Sequence, residues 1–68
     1  MHTQTLTAKK ILPLVKKATA IIVYAPVFDA CVKVDKKTAR ATLNLLLDIE
    51  FSVYTHSDGT LQIEKANP

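Results

Sequence analysis

The apolar residues of this chain recur with helical spacing in two segments. In residues 8–19 they lie three or four positions apart, which predicts an amphipathic helix with one buried stripe. The stripe consists of Ile11, Leu12, Val15 and Ala18. Thr7 is suited to cap this helix, whereas Pro13 lacks a backbone donor, so we expect a kink or a delayed start.

The second helical segment is residues 34–49, VDKKTARATLNLLLDI. Asp35 is suited to its N-cap, because the carboxylate can accept the unpaired backbone N–H groups of the first turn. The apolar positions expected to face a core are Ala39, Leu43, Leu46 and Ile49. The other faces carry the polar residues Lys36, Lys37, Arg40 and Asn44.

Strand patterns accompany these helices. Residues 20–24, AIIVY, are compact and rich in β-branched side chains, which is typical of a buried strand. Residues 51–65 contain Asp58-Gly59, the strongest hairpin signal of the chain. With these two residues as the loop, His56 faces Leu61 and Tyr54 faces Ile63. We expect that apolar side to pack inward.

Residues 26–34, PVFDACVKV, are compatible with two structures. A helix could begin at Pro26, where the missing N–H group costs nothing. Its apolar face would consist of Phe28, Cys31 and Val32. A strand is also compatible, because the residues alternate. Its two sides would be Ala30, Val32 and Val34 against Cys31 and Lys33.

The helical alternative gives the order helix, strand, helix, helix, β-hairpin, which resembles the winged helix-turn-helix superfamily of DNA-binding domains. Residues 34–49 resemble the recognition helix of many such repressors. The resemblance implies that Lys36, Lys37 and Thr38 contact phosphates and fix the register of the helix on the DNA. It also implies that the wing tip, residues 56–60, rests on the neighbouring backbone or minor groove. Arg40 and Asn44 have side chains that pair with guanine and adenine in a major groove.

The strand alternative gives the order helix-strand-strand-helix-strand-strand with a four-stranded sheet. Both alternatives are α+β folds, and 68 residues are enough for a single domain only. We expect residues 1–68 to form one winged-helix-like domain with an ordered core of about 7–65. Residues 1–6 and 66–68 are expected to be frayed.

Charge is distributed unevenly along the chain. Residues 1–40 contain eight lysines and arginines against two aspartates, a net charge of +6. Residues 41–68 contain one lysine against four acidic residues, a net charge of −3. This asymmetry favours a polyanion or an acidic protein as partner. The pairs Lys9-Lys10 and Lys16-Lys17 fit a solvated helix face; in a groove-bound domain they could instead contact backbone phosphate.

Little in the sequence indicates catalysis or metal binding. His2 and His56 have no Cys or carboxylate at ligand spacing, so we expect no metal and no cofactor. Cys31 is the only cysteine and excludes an intrachain disulfide; we expect it to fill the core in a reducing cytoplasm. No segment has the apolar length of a signal peptide core or a membrane span. The protein is not expected to be an enzyme.

The sequence therefore predicts a DNA-binding protein, a small transcriptional regulator of the kind that phages and mobile elements carry. The predicted contacts to double-stranded DNA are Lys36, Lys37, Thr38, Arg40, Asn44, His56, Gly59 and Thr60. A homodimer is expected through Leu45 and Leu47, because one helical core face cannot absorb the run Leu45-Leu46-Leu47. The alternative function is a small inhibitor or adaptor that binds a protein partner and no DNA.

Overall fold

The computed structural model describes residues 3–25 and 28–65. Over these residues the chain forms five strands and two helices in the order β1, α1, β2, β3, α2, β4, β5. Their bounds are β1 Thr3–Thr7, α1 Ala8–Lys17, β2 Ala20–Ala25, β3 Ala30–Val34, α2 Lys36–Leu45, β4 Glu50–Thr55 and β5 Thr60–Lys65. The fold is α+β, with both helices on one side of a single sheet.

The five strands form one mixed sheet in the order β1-β4-β5-β2-β3. β2 and β5 are parallel, and the other three neighbouring pairs are antiparallel. β1 and β3 are therefore the two edges. Alternate residues of a strand point to opposite faces, so each strand has one side towards the helices and one towards solvent.

The hydrophobic core lies between the helices and one face of the sheet. Its largest fully buried side chains are Ile11 and Val15 of α1, Ile21 of β2 and Leu61 of β5. Ile21 lies directly opposite Leu61 on the neighbouring strand, and both share one core cluster with Ile11 and Val15 of α1. The remaining core residues are Ala8, Ala18, Ala39, Leu43, Val53 and Ile63.

The winged helix-turn-helix prediction is wrong. Residues 30–34 form strand β3, which pairs with β2 from Ile21↔Val34 to Ala25↔Ala30. Within the described residues no helix lies between β2 and α2, and a helix-turn-helix requires one directly before its recognition helix. The alternating pattern of this segment therefore belongs to a strand that pairs with β2. Pro26, at which the predicted helix would begin, and Val27 lie outside the described residues.

The four-stranded alternative is also incomplete, because it lacks β1. Thr3–Thr7 pairs with β4 from Thr3↔Tyr54 to Thr7↔Glu50, although residues 1–6 were expected to be frayed. Five residues with three threonines have strand propensity but no distinctive pattern. Only the exposed edge of β4 makes them a strand.

The β4–β5 hairpin is where it was predicted, but its register differs by one residue. Tyr54 pairs with Gln62 and not with Ile63. The His56 N–H donates to the Thr60 carbonyl at 2.8 Å and the Gly59 N–H to the His56 carbonyl at 3.0 Å. The loop between His56 and Thr60 therefore has three residues. Gly59, with φ +92°, occupies the left-handed position of such a turn. A shift of one residue exchanges the faces, which turns Tyr54 and His56 away from the core.

The helices agree with their predicted positions in the middle and differ at their ends. α1 begins at Ala8 and continues through Pro13 without the expected delay. Asp35 caps α2 as predicted, since its Oδ2 accepts the Thr38 N–H at 3.2 Å. Thr7 occupies the N-cap of α1, but its side chain makes no capping hydrogen bond. α2 ends at Leu45, so the expected core residues Leu46 and Ile49 are 38% and 41% exposed.

Candidate nucleic-acid interface

The two helices lie side by side in opposite directions. The start of α1 is held by the segment that follows α2, because the Ala8 N–H donates to the Ile49 carbonyl at 3.0 Å. The end of α1 is close to the start of α2, where Lys36 Nζ donates to the Lys16 carbonyl at 3.2 Å. The helices therefore form an antiparallel pair whose outer surface is exposed to solvent.

This outer surface concentrates the positive charge of the molecule. Seven of the nine lysines and arginines of the chain belong to the two helices, and neither helix contains an aspartate or glutamate. We call these seven residues the basic helical face; they are Lys9, Lys10, Lys16, Lys17, Lys36, Lys37 and Arg40. Six of them are exposed, and Lys36 is half-buried.

Lys36 has a structural role within this face. Its ammonium group contacts a carbonyl in the last turn of α1, where the unpaired carbonyls of a helix favour a cation. This contact joins the two helices and brings the start of α2 to the end of α1. Lys16, Lys17, Lys36 and Lys37 are thereby collected at one end of the helical pair, although they come from separate parts of the sequence.

The predicted DNA-binding residues of α2 lie on two different sides of the helix. Lys37, Arg40 and Asn44 are all exposed and fall within about 60° of one another at 100° per residue. Thr38 lies on another side and lines a groove between α2 and the sheet. The basic helical face thus includes Lys37 and Arg40 with Asn44 beside them, but not Thr38.

Two of the predicted hairpin contacts, His56 and Thr60, lie on the open face of the sheet, whereas Gly59 lies beside Lys17 of the basic helical face. His56 accompanies Tyr54 on the open face of the sheet, with ring centroids 4.6 Å apart, and lies 2.9 Å from Gln62 Oε1 through its Nε2. Thr60 belongs to the same face of β5 as Gln62. Gly59 lies against the α1–β2 junction, where its carbonyl accepts the Thr19 N–H at 3.1 Å.

The hairpin turn carries a negative charge at Asp58, which hydrogen bonds within the turn stabilise. The Thr60 N–H donates to Asp58 Oδ1 at 2.9 Å, and this bond lowers the pKa of the Asp58 carboxyl below its ordinary value. The turn therefore presents a carboxylate at neutral pH. A negative charge at the tip does not suit a contact with phosphate, although the turn lies beside Lys17 at the end of α1.

The open face of the sheet has aromatic and acidic character. Tyr54, His56, Gln62 and Glu64 line a shallow cleft of about 360 Å³ there, together with Thr3 and Ser52. On β2, the Tyr24 hydroxyl donates to Asp29 Oδ1 at 2.7 Å, and this bond raises the pKa of Tyr24. Neither helix contains an aromatic residue. The two tyrosines and the clustered cations therefore lie on opposite sides of the sheet, whereas Phe51 packs against the core on the helix side.

An apolar groove of about 310 Å³ runs between α2 and the β2–β3 side of the sheet. It is lined by Val23, Ala25, Val32, Val34, Thr38, Ala39, Thr42, Leu43, Phe51 and Ile63. Leu45 and Leu47, expected at a dimer interface, are 84% and 40% exposed. The expectation that Cys31 fills the core is wrong, because its side chain is exposed on β3.

The contribution of α1 to the basic helical face was given only second place at the level of sequence. An ordinary solvated surface was the first interpretation of Lys9, Lys10, Lys16 and Lys17, with contact to backbone phosphate as the alternative. The signal was the absence of any acidic residue in residues 8–17 and again in 36–45. Solvated helix faces usually mix charges of both signs, so two segments with only cations indicate a surface for an anion.

Within residues 3–25 and 28–65, no cluster of three or more His, Cys, Asp or Glu side chains could hold a metal ion. In the same part of the chain, neither helix is long and apolar enough for a membrane crossing. Comparison with known proteins finds no matching family model, curated protein or solved structure.

Proposed function

We propose that this protein binds double-stranded DNA through the basic helical face. The observation that carries the proposal is the collection of seven cations, without an acidic residue, on two adjacent helices. Each helix of ten residues is about 15 Å long, and B-form DNA has one phosphate charge per roughly 1.7 Å of its axis. A surface of this size can therefore contact several phosphates at once.

Duplex DNA is favoured over single strands by the position of the aromatic residues. Proteins that bind single strands combine a basic groove with aromatic side chains on which bases stack. Here Tyr24 and Tyr54 lie on the open face of the sheet, near Glu64 and away from the helical cations. Rigid helices with cations alone suit the regular phosphate backbone of a duplex.

Base recognition would come from α2. Arg40 and Asn44 are four residues apart, so they lie about 40° apart around the helix and one turn apart along it. Arginine pairs with guanine and asparagine with adenine in the major groove, which is wide enough to admit a helix. This gives sequence preference without a helix-turn-helix. A regulatory role in transcription and a cytoplasmic location, with Cys31 reduced, belong to the same proposal.

The test compares two double variants with the same change of charge. Lys37→Ala/Arg40→Ala removes two cations from the helical face, and Lys33→Ala/Lys65→Ala removes two from the sheet. Binding of each to a labelled duplex is titrated at several salt concentrations. We expect the first variant to bind more weakly, with a salt slope reduced by about 1.8, because each phosphate contact contributes about 0.9. The second should keep the parental slope.

Equal losses in the two variants would mean that net charge alone attracts DNA and that the helical face has no special part. Tighter binding of the parent to single-stranded DNA or RNA than to the duplex would contradict the choice of ligand. The variant Arg40→Lys keeps the charge but not the paired donors. It should preserve overall affinity and weaken discrimination among duplex sequences, by roughly 1–3 kcal/mol at one base pair.

A further inference from the structure

One edge of the sheet lies next to a large uncharged surface. β3 is hydrogen-bonded to β2 on one side only, and no strand covers its other side within the described residues. Natural proteins protect such edges with charges, prolines or bulges, because the unpaired N–H and C=O groups can pair with another chain. β3, ACVKV, has a single charge, Lys33, and no proline.

The apolar groove between α2 and the sheet extends to this edge. Val32 of β3 lies in the groove and is still 48% exposed. Thr38 and Thr42 of α2 form the opposite wall. Ala41 and Leu45 continue the same side of the helix at helical spacing. This side of α2 carries no charge, whereas its cations face the other way.

We propose that β3 pairs antiparallel with β3 of a second copy of this chain, about a twofold axis at Val32. In this register Val32 lies opposite Val32 of the second copy. Ala30 lies opposite Val34, and Cys31 opposite Lys33. All side chains towards the helices are apolar, and the two lysines do not face each other. The strand is therefore complementary to itself, as a twofold interface requires.

The twofold axis would be perpendicular to the sheet, because residues paired across antiparallel strands point to the same face. Both pairs of helices then lie on the same side of one ten-stranded sheet. The uncharged sides of the two α2 helices, with Thr38, Thr42 and Leu45, face each other above the β3 pair. Each copy thus helps to cover the apolar groove of the other.

The uncharged side of α2 identifies the second copy as the occupant. An unrelated extended segment could hydrogen-bond to β3, but it would leave the exposed Leu45 side chain in water. A second copy supplies both a matching strand and a matching uncharged helix surface. The proposed contact between two copies includes no residue of the basic helical face, so it can be tested independently of DNA binding.

Sedimentation at several protein concentrations tests the association without any DNA. We expect the parent to form dimers and Val32→Glu to weaken dimerisation at least tenfold, because two carboxylates would oppose each other at the axis. Thr5→Glu introduces the same charge on the exposed opposite edge, β1, and should dimerise like the parent. A parent that stays monomeric at every concentration would overturn the proposal. So would equal dimerisation of Val32→Glu.

Cross-linking tests the register and remains informative even if Val32→Glu does not fold. In Lys33→Cys, the new thiol lies opposite Cys31 of the second copy and should form a disulfide-linked dimer on mild oxidation. Val32→Cys in a Cys31→Ser background should do the same at the axis. Thr5→Cys in that background is the matched control and should remain unlinked. Linkage through Thr5→Cys, or none through residues 32 and 33, would place the contact elsewhere and overturn the proposal.

Discussion

The two helices have the same length and similar composition, yet they contribute differently to the molecule. α1 buries Ala8, Ile11 and Val15 completely. It is also hydrogen-bonded to Ile49 at its start. α2 buries only Ala39 and Leu43, and an apolar groove remains open beside it. Two cationic amphipathic helices of ten residues can thus be either a core element or a surface element.

The difference follows from their positions over the sheet. Ile11 and Val15 of α1 are fully buried in one cluster with the paired residues Ile21 and Leu61 of the inner strands β2 and β5. α2 lies beside α1, next to the edge strand β3, and no further element covers its outer side within the described residues. We therefore regard α1 as the main stabilising helix and α2 as the helix available for partners. The following predictions test this distinction.

The largest loss of stability is expected when packing beneath α1 is removed. Ile11→Ala should destabilise the protein by about 2–5 kcal/mol, because it leaves a cavity in an enclosed core. Leu43→Ala in α2 should fall at the lower end of that range, since its side chain already lines an open groove. Urea denaturation measures both. If Leu43→Ala costs more than Ile11→Ala, the ranking of the two helices is wrong.

The next effect concerns the turn that holds the end of α1. Gly59→Ala places a Cβ atom 2.9 Å from Thr19 Cγ2 at a residue with φ +92°. Such a left-handed conformation costs a side chain roughly 1–3 kcal/mol, and the close contact must also be relieved. The variant should melt at a lower temperature than the parent. Ser57→Ala, in the same loop, should melt close to the parent.

The N-terminal caps distinguish the helices in the opposite sense: α2 has a side-chain capping bond and α1 has none. Asp35→Ala should destabilise α2, because Asp35 accepts the Thr38 N–H. Thr7→Ala should remove no capping bond from α1, since the Thr7 side chain makes none. Thermal melts of the two variants compare the effects directly. A larger loss of thermal stability for Thr7→Ala than for Asp35→Ala would show that side-chain capping does not distinguish the two helices.

The Asp35 cap also predicts a pH dependence. The Thr38 hydrogen bonds lower the pKa of Asp35 from its ordinary value of 3.8. The stabilising contribution is therefore complete above that value and is lost as the pH falls through the lower, folded-state pKa. Asp35→Asn keeps a capping oxygen without the charge. Its thermal midpoint should fall less steeply than that of the parent between pH 5 and the acid range.

The smallest effect is expected on the exposed side of α2. Leu45 is 84% exposed, so Leu45→Ser should change the stability of the monomer by no more than about 0.5 kcal/mol. The measurement is made by urea denaturation at a concentration where the parent is monomeric. A larger loss would mean that Leu45 packs within its own chain and is not available to a partner.

The features that sequence predicted correctly depend on short-range interactions. The amphipathic spacing of residues 8–17 and 36–45 is a property of each helix alone. The Asp35 cap is formed with a residue only three positions away. The Asp58-Gly59 pair located the last hairpin, because glycine readily adopts the left-handed backbone that a tight loop needs. The strand at residues 20–25 followed from its β-branched run. The chemical origin of the basic helical face was also present in the sequence.

The largest errors concern interactions with distant parts of the chain, whereas the Thr7 cap, the helix ends and the hairpin register were local errors. Residues 30–34 were compatible with helix and strand, and only pairing with β2 decided between them. Thr3–Thr7 became a strand because the edge of β4 was free, about fifty residues later. A single additional loop residue changed the hairpin register and moved Tyr54 and His56 to the open face. Local sequence thus determined the middle of each helix, the Asp35 cap and the charges of the helices. The tertiary structure determined which strands pair and which charges meet, because both depend on distant residues that no local pattern contains.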